Sequence, residues 1–333
     1  MTMFSKFMFA ALLWLIRALL AALSALPTPT LQEPAPEAPK PAPVVAPPQQ
    51  IPPQKELAPG ELPADASEEA KTLWRAVCTA TSGAVAPAKV QGFDLLFEGR
   101  GWEPGSQAET DFNDARIRYL DPNYVAFSMS KDGRRSMRGP QGDWLVDPKG
   151  GATRLQGVEL EQDRKQLDQI AQVSRTFTRL IDAHAIRLRS LKLMPAPPFA
   201  VPAPLLARAQ ALRWIDVRSP DFAIVRVAAK ASTPADVGAW IGVDVTTKLP
   251  QLAIVAELVG GTAFPETALL IELTDYRALD HFNVPHKLQI YPPDLGASPW
   301  SFAPKANMAL WLKQGSLRPT LVPADFEPPK PKK

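Results

Sequence analysis

The stretch WIGVDVTTKLPQLAIVAELV, Trp240 to Val259, decides the fold. Apolar and polar residues alternate as far as Thr247, the pattern breaks at Lys248-Leu249-Pro250, and strand-forming residues resume at Gln251. Period two on both sides of so short a break predicts a β-hairpin. Strand character continues around it in LRWIDVRS (212–219), FAIVRVAAK (222–230), TALLIELTDYRAL (267–279) and HKLQIYPPD (286–294). A second group of shorter candidates lies upstream: VQGFDLLFEG (90–99), AETDFNDARIRYL (108–120), NYVAFSMS (123–130), RRSMRGP (134–140), DWLVDP (143–148) and TRLQGVEL (153–160). Asp132-Gly133, Gln141-Gly142 and Pro148-Lys149-Gly150-Gly151 connect several of these, and turns this tight imply antiparallel pairing.

Two segments change period. DASEEAKTLWRAVCTATSG (65–83) begins with an Asp65 or Ser67 cap, carries acids in its first turn, and spaces Ala70, Leu73, Trp74, Val77 and Cys78 as a helix face ending at Gly83. EQDRKQLDQIAQVSRTFTRLIDAHAIRLRSLKLM (161–194) places Leu167, Ile170, Ala171, Val173, Phe177, Leu180 and Ile181 on one stripe, with Asp163, Lys165, Asp168, Gln172 and Arg179 off it. The predicted class is α+β: a single curved antiparallel sheet with helices covering its concave face.

The chain has 333 residues, but its two ends do not read as foldable. Residues 1–26 hold one lysine ahead of an apolar run interrupted by Arg17, a pattern shared by a signal peptide and a membrane anchor. An arginine at mid-span costs roughly 2.5–3.5 kcal/mol on insertion scales, which weakens the spanning alternative. Export, and a periplasmic or cell-envelope location with anchoring to the inner membrane if the segment is uncleaved, is the expectation. Residues 27–64 repeat proline every few positions and predict a disordered, extended linker with a reach on the order of 100 Å. Residues 319–333 read as a second disordered tail, leaving 65–318 as one domain.

Lysine and arginine number 37 against 34 acids, and they are scattered, so the basic footprint of a nucleic-acid binder is missing. The single cysteine, Cys78, excludes an intrachain disulfide and sits where a buried thiol belongs. No nucleophile elbow, zinc signature, phosphate loop or motif-borne carboxylate pair appears, so no catalytic residue, metal or cofactor is assigned. His184, His281 and His286 read as surface or capping residues, and Asp275 and Asp280 as turn chemistry. Lys131, Arg134, Arg135 and Arg138 gather near a hairpin tip, as a solvated turn or a contact for anionic head groups. The proline-rich run from Met194 to Leu206 reads as a strap or as a flap.

The order of these features resembles the LolA and LppX-like lipoprotein-carrier superfamily. The residues that carry the likeness are Phe97, Gly99 and Gly101 in F-x-G-x-G spacing, the strand entry YLDPNYVAF (119–127), and the hairpin GPQGDWLVDP (139–148). Downstream, Asp244, Thr247, Leu249 and Pro250 form D-x-x-T-x-L-P, and Phe282-Asn283-Val284-Pro285 leads the later strand HKLQIYPPD. The resemblance implies an incomplete β-barrel whose apolar hollow holds the acyl chains of a lipid or lipoprotein, without enzymatic activity. Burial alone can drive such binding, at about 0.8 kcal/mol per methylene. Strand alternation then nominates Phe93, Leu95, Phe97, Val125, Phe127, Met129, Trp144, Trp240, Leu252 and Ile254 as lining, joined by Phe177, Leu191 and Met194 from the helical insertion. A protein partner in the envelope, bound by the same scaffold, is the alternative.

Overall fold

The computed structural model describes residues 57–82, 89–102, 109–122, 124–129, 133–156, 161–222, 236–259, 261–264, 267–294 and 301–328. The apolar segment 1–26, most of the linker, Gly83, Lys131 and the strand expected at 223–230 lie outside them. The elements in chain order are helix α1 (Glu68–Ser82), strands β1 (Gly92–Trp102), β2 (Glu109–Leu120), β3 (Tyr124–Met129), β4 (Arg135–Gly139), β5 (Gly142–Val146) and β6 (Ala152–Arg154), then helix α2 (Glu161–Ile181). They continue with β7 (Ser190–Met194), helix α3 (Ala203–Ala211), β8 (Arg213–Arg218), β9 (Asp236–Val243), β10 (Pro250–Val259), β11 (Thr262–Ala263), β12 (Leu269–Leu279), β13 (Phe282–Tyr291) and β14 (Met308–Ser316).

All strands join one 14-stranded sheet in the order β6-β5-β4-β3-β2-β1-β14-β13-β12-β10-β9-β8-β7, with β11 beside β10. Every ladder is antiparallel and the two ends do not meet, so the architecture is the α+β incomplete barrel. The hairpin expected within Trp240–Val259 is β9–β10. Its turn is held by Asp244, whose carboxylate accepts the N–H groups of Thr246 at 3.0 Å and Thr247 at 2.6 Å and the Thr247 hydroxyl at 2.8 Å. That local bonding lets Lys248 adopt φ 62°. At the F-x-G-x-G segment, β1 is irregular against both neighbours, a bulge that bends the strand. A Cβ at Gly99 would lie 2.1 Å from the Phe112 ring, so glycine is required there.

β14 joins the two halves of the sheet by pairing with β1 on one side and β13 on the other. Its sequence, MALWLKQGS (Met308–Ser316), alternates over only a few residues, a weak strand signal. The insertion also differs from expectation: α2 stops at Ile181, and Leu191 and Met194, expected on the helix, form strand β7 instead. Residues 203–211 of the proline-rich run are helical, with proline confined to the first turn, where its missing N–H costs nothing.

Alternation sorts the core onto two faces. α1 and α2 cover the inner face, where Val237, Ala239, Ile241, Ala253, Val255, Ile271 and Leu273 are buried in one large cluster. α3 and Phe199 cover part of the outer face, over Trp214, Trp240, Leu252, Ile254 and Leu270. Ser67 is the cap of α1, its hydroxyl accepting the Ala70 N–H at 3.2 Å. Leu62, inside the expected linker, already packs against the inner cluster.

Within the tail, residues 319–328 are described. Residues Pro323–Phe326 form a short 3-10 turn, Phe326 is fully buried with Ala126, Met137 and Val146 on the outer face of β3–β5, and the Glu327 carboxylate accepts the Gln141 N–H at 2.9 Å. A Cβ at Gly139 would come within 2.2 Å of the Phe326 carbonyl oxygen, so glycine makes room for the docked chain. Proline and lysine dominate the composition here, but one aromatic anchor fixes the segment. Phe326→Ala is expected to destabilise the protein by about 3 kcal/mol in urea unfolding. A change under about 0.5 kcal/mol would mean the tail is not docked in solution.

Candidate functional site

The inner face is not an empty bowl. Phe93 packs edge-on to Phe177 of α2 at 5.6 Å between ring centroids, and against Tyr119 at 5.5 Å. Space remains toward the N-terminal half of α2, as a cavity of about 320 Å³ between the helix and the sheet. This is near the lower end of the ~300–1,000 Å³ typical of small-molecule sites. Ile170 and Val173 of α2 form one wall; Ile117, Val237, Val255, Leu269, Ile290, Met308 and Leu310 of the sheet form the other. Gln166, Asp168, Gln169, Gln172, Glu257, Thr267 and Asn307 supply polar groups at its border.

The two halves of α2 are fastened differently. Leu167 is the one buried apolar residue in its first two turns, and Gln166 and Gln169 are exposed, whereas Val173 to Ile181 are buried throughout. Two arginines anchor the second half. Arg179 donates to both Asp121 carboxylate oxygens at 2.7 and 2.8 Å and, through Nε, to the Asp221 carbonyl at 3.3 Å. Arg175 donates through Nε to the Asp221 carbonyl at 2.6 Å and through Nη1 to the Pro122 carbonyl. Asp121 follows β2, and Asp221 follows β8, strands far apart in the sheet order. Each arginine therefore bridges the two flanks of the open sheet.

The electrostatics fit a closed ionic site. Burial raises the Asp121 carboxyl, but the guanidinium groups of Arg179 and Arg175 outweigh it and hold the group below its ordinary value. Asp221 behaves alike: burial is outweighed by the Arg187 side chain and backbone N–H and by Arg179. Asp182 shifts upward because burial outweighs the Val90 N–H that it accepts at 2.8 Å. Burial, with the nearby Asp182, pushes the Cys78 thiol up to about 12, an inert state for a thiol.

The first half of α2 has a different tie. Arg138, its side chain 4% exposed, donates Nε and Nη2 to Asp143 at 2.9 Å each and Nη2 to Asp168 of α2 at 2.6 Å. Arg138 is thus no solvated turn residue. When Asp168 leaves, Arg138 keeps Asp143, so opening there strands no buried charge.

The thirteen residues nominated from the sequence divide between the faces. Phe93, Leu95, Phe97, Val125, Phe127, Phe177 and Leu191 belong to or pack against the inner core. Met129 occupies the β3 position paired with Ala115. Trp240, Leu252, Ile254 and Met194 belong to the outer cluster, and Trp144 lies on the outer face across from Met137, under the Arg154 guanidinium at 5.8 Å. Apart from Met129, whose side chain is not described, none borders the cavity. The large aromatics interdigitate, and space survives where α2 offers Ile170 and Val173 to medium-sized sheet residues. The sequence signal for this was the polar first half of α2, where an inward face cannot fill its own volume. From Met194 to Leu206 the chain is a strap on the outer face, with Phe199 against Trp240 at 5.2 Å and Phe302 at 5.6 Å.

His281 lies in the β12–β13 turn with φ 73°, and the His286 ring Nδ1 lies 3.0 Å from the Val284 carbonyl oxygen. Asp275 pairs with Arg277, and Asp280 accepts the Ser316 hydroxyl and the Leu317 N–H. Among the described residues there is no group of three or more His, Cys, Asp or Glu suited to a metal ion, and no helix long and apolar enough to cross a membrane.

No protein-family model matches the sequence, and a search of curated proteins finds no match. The chain is similar, at low TM-score, to solved structures. A LolA superfamily protein from Nitrosomonas europaea shares 10% identity at TM-score 0.40, covering 78% of this chain and 97% of that one. A DUF1329 family protein from Desulfovibrio piger shares 10% identity at TM-score 0.41, covering 78% of this chain and 98% of that one.

Asp121→Asn leaves the buried Arg179 short of a counter-charge and is expected to cost about 3 kcal/mol at pH 7. A carboxyl with a lowered folded-state pKa stabilises above its unfolded value, about 3.9, and the contribution is lost as pH falls through the folded value. Urea unfolding at pH 7 and pH 3 should therefore show a smaller acid loss in the variant than in the parent, with Asp182 contributing equally to both. Equal acid losses would remove Asp121 from the account.

Proposed function

We propose that this protein is a non-enzymatic carrier or sensor of apolar ligands in the cell envelope, taking one acyl chain of a lipid or lipoprotein into the cavity beneath α2. The observation that carries the reading is the apolar cavity under the loosely held half of a helix whose other half is locked. Access follows by lifting residues 161–170. The apolar burial lost from the helix side is that of Leu167 and Ile170, on the order of 1.5–3 kcal/mol each, and an incoming chain restores much of it. The Arg138–Asp143 pair stays intact throughout, so the ionic contribution to the barrier is confined to Asp168, whose side chain is 29% exposed and regains water on release while Arg138 keeps a carboxylate partner. The apolar walls of the sheet supply affinity by area, with little directional selection along the tail.

Native mass spectrometry and lipid extraction of the full chain, purified from envelope fractions, are expected to find a stoichiometric amphiphile. Ile170→Trp fills the cavity and is expected to weaken tail binding at least tenfold with little change in thermal unfolding. A chain that binds the variant as well as the parent places the ligand elsewhere and sinks the reading. Asp168→Asn is expected to raise the rate of ligand exchange several-fold with little effect on stability. An unchanged rate contradicts the gate.

A further inference from the structure

Resting on the reading of the cavity as the acyl site, we propose that it limits chain length: it takes roughly the last eight to ten carbons of a straight tail and stops a longer one at an aromatic wall formed by Phe93, Tyr119 and Phe177. The exposure of α2 gives the direction of entry. Gln166 and Gln169, at the cavity border, are exposed, Ile170 is buried, and from Val173 to the end of the helix every residue is buried. A tail therefore enters beside the glutamines and runs toward Val173, the last α2 residue to line the cavity. Phe177 follows one turn later on the same helix face and is 3% exposed. The sheet closes at the same place. Ile117 is the β2 residue that lines the cavity, and Tyr119, next on the same strand face, is 1% exposed. Phe93 joins the two aromatics, its ring centroid 5.5 Å from Tyr119 and 5.6 Å from Phe177.

This wall is fixed in place. The Tyr119 hydroxyl donates to Asp121 Oδ1 at 3.1 Å, and Asp121 is the carboxylate that Arg179 clamps at 2.7 and 2.8 Å. The ring is thus held by the same ionic site that fastens the second half of α2. Two measures of the depth in front of it agree. From Gln166 to Val173 the helix advances about 10 Å, the length of roughly eight carbons at about 1.25 Å per bond in an extended chain. At roughly 30 Å³ for a group the size of a water molecule, 320 Å³ holds on the order of ten methylenes. Carbons beyond that number stay in water outside the border, and the gain per methylene ends there.

Titration calorimetry of the full chain with alkyl maltosides of six to fourteen carbons, each below its critical micelle concentration, tests this. Affinity is expected to rise about fourfold per carbon, the factor that about 0.8 kcal/mol per buried methylene supplies, as far as roughly ten carbons, and by less than about 1.5-fold per carbon after that. Val173→Phe puts a ring into the inner end of the cavity and is expected to move the break to tails about two carbons shorter. Phe177→Leu keeps a buried apolar side chain while shortening the wall, and is expected to move the break to longer tails; should that variant not fold, Val173→Phe carries the test. A rise that continues unbroken to fourteen carbons, a break that stays put in either folded variant, or loss of every ligand in Val173→Phe overturns the length limit. If any of these occurs while Ile170→Trp still weakens the whole series, the cavity reading stands and this inference falls alone. If no maltoside binds the parent, or Ile170→Trp leaves all of them unaffected, both fall.

Discussion

Two arginines on one helix hold the open sheet in its curve. A sheet of this size twists and coils but does not choose its own degree of closure, and here the ends stay apart. Arg175 and Arg179 lie one turn apart on α2, and both reach from the β2–β3 turn to the segment after β8. The arrangement is costly to break, because removing either flank leaves buried charge behind. It follows that the C-terminal half of α2 is part of the scaffold, and that the shape of the inner face is set by where those two flanks are held.

The N-terminal half of the same helix obeys different physics. Its inward face is short of apolar residues, so the helix cannot fill the space beneath it, and the sheet contributes Val237, Val255, Leu269 and Ile290 to a volume that stays open. Its ionic tie, Asp168 to Arg138, is made to a guanidinium that already has a full carboxylate partner in Asp143. The result is one helix with a fixed end and a releasable end, and the cavity lies under the releasable one. Function, on this account, comes from unequal packing along a single element.

Much of the fold was legible because it rests on periodicity. The alternation in β9–β10, the Ser67 cap of α1 and the stripe from Leu167 to Ile181 each appear in the sequence at the spacing the structure uses. What the sequence concealed was long-range. β14 is a short strand that matters because β1 and β13 lie far from it in the chain. Phe326 is one aromatic in a proline-rich tail, and only the docking surface on β3–β5 reveals its role. Arg138, Arg175 and Arg179 resemble solvated charges until Asp121, Asp143, Asp168 and the turn at Asp221 are brought beside them. The candidate site suffered most: large aromatics are the residues a sheet uses first to fill its core, so choosing them found packed interior, while the open volume lies among medium-sized side chains beside Ile170 and Val173.

The most direct measurement is hydrogen–deuterium exchange resolved along α2 in the full chain. Amides of residues 163–169 are expected to exchange at least about a hundredfold faster than those of 173–181, the signature of local opening within one helix. A helix protected uniformly from end to end, opening only with the whole domain, would contradict it.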